Sequence, residues 1–175
     1  LNGVVNPGNG GTIFRTNIQL GQYTSIATNP AIPNRFYGGF QDNGTQRKST
    51  TNNTWFDTAS GDGGQVLVDP TDANYVYGTY YQVSPYRFSD GAGLYLGGFT
   101  SNEFIRSGLD TNDRSEFYIP WMMDPANSSR LYLGTYRVYR TDNAKATNAS
   151  DVFWNTVSGD LTSGCTGAAP NGARG

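Results

Sequence analysis

The 175-residue sequence contains no histidine and a single cysteine, Cys165. Without histidine, neither a Ser-His-Asp nor a Cys-His catalytic apparatus can be assembled from this chain, and too few soft ligands remain for a typical zinc site. Cys165 reads as a small tail residue or as half of a cystine whose partner lies elsewhere; a reactive thiol is the sharper alternative. Positive charge is sparse. Lys and Arg number 12 against 14 Asp and Glu, for a net charge of −2, and no basic stripe is present that would neutralise a phosphate backbone. Nucleic acid is not an expected partner. No run of 18 apolar residues suggests membrane insertion, and the amino end has neither a charged nor an apolar signal region. Leu1, rather than Met, stands first, consistent with a removed leader or a preceding domain. No segment carries an apolar stripe of helical period; the nearest candidate, 143–150, reads as a loop.

What the chain has in quantity is Gly, Asn, Thr and Tyr. Hydrophobic residues make up 36% and charged residues 15%, both low for a globular domain. Tyr and Thr suit pleated surfaces, while Gly and Asn supply turn conformations, so the composition predicts an all-β protein with many tight turns.

The dominant pattern is a threefold repeat. Pro30, Pro70 and Pro125 each follow an Asn or Asp, and in every copy a Tyr stands seven residues after the proline, as Tyr37, Tyr77 and Tyr132. Asx-Pro fixes a turn, and the alternating run around each Tyr reads as the return strand of a hairpin. A weaker echo links Trp55 to Trp154. The prolines are spaced 40 and then 55 residues apart, the longer interval being explained by an insertion between Ala92 and Arg114 that holds two weak strands, at 94–96 and 103–106. About fourteen short strands with repeats of this size predict β-propeller blades of four antiparallel strands, three to four of them. The expected organisation is a lead-in loop over 1–11, blades over 12–162, and a Gly/Ala-rich tail over 163–175. The repeated Tyr residues, with Trp55 and Trp154, are expected in the packing between blades. Asn43-Gly44 predicts a two-residue hairpin turn.

Together, Gln41-Asp42-Asn43-Gly44, Ser60-Gly61-Asp62-Gly63-Gly64, Val68-Asp69-Pro70, Met123-Asp124-Pro125, Leu133-Gly134-Thr135, Val138-Tyr139-Arg140-Thr141 and the stretch from Trp154 to Thr162 resemble the β-propellers of the BNR/Asp-box type. That group includes sortilin-like Vps10 ectodomains, photosystem II assembly factor-like proteins and xyloglucanase-like glycoside hydrolases. The likeness spans about 20–162 and bears on fold more than on function. Phe88-Ser89-Asp90-Gly91 departs from an intact Asp-box by lacking its Thr-Trp, and Arg140-Thr141-Asp142-Asn143 is separated from Trp154 by a longer segment. Because such propellers have six or more blades, the resemblance implies part of a larger ring, completed by the rest of the propeller or by another copy of the chain.

Five functional readings follow. Asp42 and Asp62, each in a Gly-containing turn, could meet at one rim and serve an inverting glycoside hydrolase of the xyloglucanase-like kind, or simply hold their own backbone as Asx turns. A sialidase would need a glutamate in a recognisable setting, and Glu103 and Glu116 are the only two. Calcium could bind the oxygen-rich Asp110-Thr111-Asn112-Asp113 loop, which lacks the Gly and distal Glu of an EF-hand; no other cofactor is expected. The preferred reading is non-catalytic: a secreted or cell-surface module binding protein or glycan through Gln41, Asp42, Asn43 and Asp62 and the aromatics Tyr80, Tyr81, Tyr86, Trp121 and Tyr136. A structural block of a larger surface or filament protein is the remaining class. Sequons at Asn43, Asn52, Asn127 and Asn148 are what an Asn- and Thr-rich chain yields by chance.

Overall fold

A computed structural model describes residues 3–4, 15–16, 21–92 and 103–162. The strand expected at 94–96, Cys165 and the tail beyond residue 162 lie outside the described residues, as does most of the lead-in loop.

The described chain is all-β, with fourteen strands, one 3₁₀ turn at Ala149–Asp151 and no α-helix. It forms three successive four-stranded antiparallel meanders, the blades of a partial propeller. The first is β3 (Tyr23–Thr28), β4 (Phe36–Phe40), β5 (Gly44–Lys48) and β6 (Trp55–Ala59). The second is β7 (Leu67–Val68), β8 (Val76–Thr79), β9 (Pro85–Phe88) and β10 (Glu103–Phe104). The third is β11 (Trp121–Asp124), β12 (Asn127–Gly134), β13 (Val138–Thr141) and β14 (Asn155–Thr156). A two-stranded pair, β1 (Gly3–Val4) with β2 (Arg15–Thr16), precedes them, so the lead-in segment contains a strand where only loop was expected.

Each proline turn joins the first and second strands of its sheet, and the same device closes all three. The Asx side-chain oxygen ahead of the proline accepts the main-chain N–H two residues on: Asn29 from Ala31 at 2.9 Å, Asp69 from Thr71 at 2.7 Å and Asp124 from Ala126 at 2.8 Å. The turn fixes register, and register places Tyr37, Tyr77 and Tyr132 opposite Ala27, Leu67 and Met122. On the next strand each Tyr faces an arginine, Arg47, Arg87 or Arg140. That Tyr–Arg row marks the trailing face of each sheet, the side turned toward the sheet that follows.

The core lies between sheets. Tyr37 packs with Val66, Val76, Tyr86 and Phe88 of the second sheet and its approach, while Tyr77 packs with Trp121, Leu131, Leu133, Tyr139 and Trp154 of the third. Arg87 is fully buried, and its guanidinium donates to the carbonyls of Ala144, Ala146 and Thr147 in the loop that joins β13 to β14. Nearby, Lys145 pairs with buried Asp69. Burial alone would raise the Asp69 carboxyl; hydrogen bonds from Lys145 and Thr71 outweigh it and hold the group below the usual carboxylate range.

Two expectations about the repeated aromatics are corrected. Tyr132 is only half-buried, because its face of the third sheet has no following sheet among the described residues, and Trp55 is half-buried for the corresponding reason on the first. The 41–44 turn is also different. Phe40 pairs with Gly44, leaving a three-residue connection with positive φ at Asp42 and Gly44 and not at Asn43. A Cβ at Gly44 would lie 1.8 Å from the Ala59 carbonyl oxygen, so close approach of the neighbouring strand sets the turn.

Candidate functional site

Antiparallel meanders put the turn between second and third strands at the same end as the link to the next sheet. In this chain that end gathers the 41–43, 60–66, 80–84, 105–120, 135–137 and 157–162 segments into one rim, opposite the proline turns. Contacts across the sheets hold it together: Gly64 N–H donates to Thr79 at 2.8 Å, Gln82 N–H to Phe117, and Tyr136 N–H to Arg114 at 3.0 Å.

Asp42 and Asp62 do meet there. Asp62 Oδ1 accepts the main-chain N–H of Asp42 at 3.1 Å and the Tyr118 hydroxyl at 3.3 Å. Burial and the adjacent Asp62 carboxylate push the Tyr118 phenol up to about 12. Beside this contact runs a chain of rings. Tyr80 and Tyr81 have centroids 4.3 Å apart, Tyr81 stacks on Phe117 at 5.9 Å, and Phe117 meets Tyr118 edge-on at 4.8 Å. Tyr81 is the exposed member at 39%. Gln41 is half-buried, its carbonyl accepting the exposed Asn43 side chain at 3.0 Å.

A second cluster occupies the third sheet's part of the rim. Buried Asp113 accepts the Tyr139 hydroxyl at 2.6 Å, the Thr135 hydroxyl at 3.0 Å and Arg137 Nε at 2.9 Å. Burial would raise the Asp113 carboxyl, but these three partners together lower it, and Arg137 is raised in return, chiefly by Asp113. The guanidinium carbons of Arg114 and Arg137 lie 4.8 and 4.7 Å from the Tyr136 ring centroid, and Arg114 pairs with Asp160 at 3.2 Å. Asp110, Asn112, Asp113, Arg114, Tyr136 and Asp160 line an open depression of about 400 Å³.

The structure therefore brings Gln41, Asp42, Asn43, Asp62, Tyr80 and Tyr81 together and places Tyr136 on the same rim. It does not put Tyr86 or Trp121 at a surface. Tyr86 is 1% exposed, its hydroxyl 2.6 Å from that of Thr45, and Trp121 is 4% exposed, its indole N–H on the Gln65 carbonyl at 3.1 Å. Both stand on the leading face of their sheet, against the sheet before. As for calcium, Asp110 Oδ1 accepts the Asn112 N–H at 2.9 Å in a local turn, and Asp113 is occupied by Arg137. Among the described residues no group of three or more acidic, His or Cys side chains is placed to hold a metal ion.

Phe117, Tyr118, Arg114, Arg137 and Asp160 were not singled out from the sequence. Phe117 and Tyr118 stand in the link ahead of β11, which begins at Trp121. Two adjacent aromatics following a Gly- and Asp-rich stretch were the available signal.

Neither a protein-family profile nor a curated protein sequence matches the chain. Among solved structures it is similar to a crystal structure described as an ancestral GH74 enzyme, over 79% of this chain and 24% of that one, with 13% identity and a TM-score of 0.41. The chain thus spans about a quarter of that enzyme's length.

Proposed function

We propose that this chain is a non-catalytic β-propeller module of a secreted or cell-surface protein and that its rim binds a glycan. The observation that carries the reading is the run of rings Tyr80, Tyr81, Phe117 and Tyr118 alongside Asp62 and Asp42. Aromatic faces take the C–H side of a sugar, and a carboxylate accepts from its hydroxyls, so the pairing suits a glycan better than a wholly apolar surface. The extracellular setting rests on the BNR/Asp-box likeness of the turn motifs.

Paired aspartates would also serve an inverting glycoside hydrolase, and the contact between Asp62 and the Asp42 loop favours that second reading. In the described arrangement, however, Asp62 Oδ1 holds a main-chain amide and the Tyr118 hydroxyl, which is turn-building work. A glycan array probed with the wild-type protein and with Tyr81→Ala tests the proposal. Retention of a defined set of glycans, with loss of about tenfold or more on removing the exposed ring, is expected. If the array were blank and only protein ligands were retained, the glycan assignment would fall.

A further inference from the structure

The two ends of the stack carry the two halves of one contact. Four residues before each proline stands Ile26, Val66 or Trp121, on the leading face of its sheet. Val66 is 3% exposed and lies in one core with Tyr37; Trp121 is 4% exposed and meets Tyr77 edge-on at 6.3 Å. Each of these apolar side chains thus seats on the repeated Tyr of the sheet before it. Among the described residues the rule leaves one member unmatched at each end. Ile26, on the first sheet, is 63% exposed, with Tyr23 near it at 47%. On the third sheet Tyr132 is half-buried and Met122, its cross-strand partner, is 53% exposed. There Pro120, Met122, Tyr132, Leu133 and Val138 line an apolar groove of about 240 Å³.

The geometry points to head-to-tail docking of a second copy of this chain, Ile26 and Tyr23 of one copy entering the Met122–Tyr132 groove of the other. The contact repeats the operation that already relates the first sheet to the second and the second to the third, so it continues an interface the molecule has built twice. One polar detail changes. Val66 N–H donates to the Ser25 hydroxyl and Trp121 N–H to the Gln65 side chain, whereas the corresponding position on the third sheet is Pro120. The docked contact therefore offers no side-chain acceptor at that point and rests on the apolar lining of the groove. A heterologous contact of this kind closes into a ring when the rotation permits and otherwise propagates, and two exposed apolar faces on one chain are the liability it removes.

Sedimentation velocity across a concentration series tests it, using wild type, Met122→Glu and Ile26→Glu. Both substitutions are at exposed positions, and far-ultraviolet dichroism checks that each variant keeps its sheets. Wild type is expected to associate and each variant alone to sediment as a monomer. An equimolar mixture of the two variants should associate again, because one supplies an intact first-sheet face and the other an intact groove. A monomeric wild type, variants that still associate, or a mixture that fails to complement would each overturn the inference.

Discussion

At the residue scale, stability concentrates in a few buried polar groups whose partners come from another sheet. Arg87 has no exposure and anchors three carbonyls of the 144–147 loop. Replacing it with Met leaves the buried Ala144 carbonyl unpaired, at a cost of about 1–3 kcal/mol, while the carbonyls of half-buried Ala146 and exposed Thr147 can turn to water. Urea denaturation should show Arg87→Met less stable by about 1–3 kcal/mol, with Arg87→Lys recovering only part, since an ammonium does not reproduce the planar fork. Asp69 and Asp113 give the pH dependence. Both carboxyls lie below their unfolded values when folded. As pH falls the unfolded chain binds protons first, so their contribution is complete above the unfolded carboxylate pKa, about 4, and is lost as pH drops through the folded values. Thermal melts from pH 7 to pH 2 should show a steep decline below about pH 4 in wild type. Asp113→Asn should start from a lower melting temperature and decline less.

At the scale of elements, the proline hairpin was the most legible feature, for a physical reason. An Asx-Pro turn is written in three adjacent residues, and once it fixes register the Tyr seven positions on must fall on one face. The burial of that Tyr was not legible, because it depends on the next sheet: Tyr37 and Tyr77 are covered and Tyr132 is not. The Arg47, Arg87 and Arg140 row was missed since arginine in a strand reads as solvent-facing, whereas Arg87 is satisfied by carbonyls 57 to 60 residues away. Tyr86 misled in the opposite sense, as an aromatic following a turn whose hydroxyl meets Thr45 inside the core. Turn chemistry also governs the site. Gly44 combines positive φ with the Ala59 carbonyl at the position of a Cβ. Gly44→Ala should cost about 2–4 kcal/mol in chemical denaturation, from left-handed strain and steric displacement together. It should also weaken ligand binding at the rim by moving Asp42.

For the molecule as a whole, three sheets stacked in sequence order place every link between sheets on the rim, which is why residues as distant as Asp62 and Tyr118 meet there. The sequence located the Asp42 and Asp62 turns and the Tyr80-Tyr81 pair, but the ring chain they form with Phe117 and Tyr118 arises only from stacking. The central claim is that this rim holds a glycan without transforming it. It is tested most directly by calorimetric titration of an array-selected oligosaccharide into wild type and Tyr81→Ala, with chromatography of the sugar after prolonged incubation. Saturable binding by wild type, weakened about tenfold or more by Tyr81→Ala, with the oligosaccharide recovered intact, is the predicted result. Equal affinity in the two proteins, or hydrolysis products that vanish with Asp62→Ala, would contradict it.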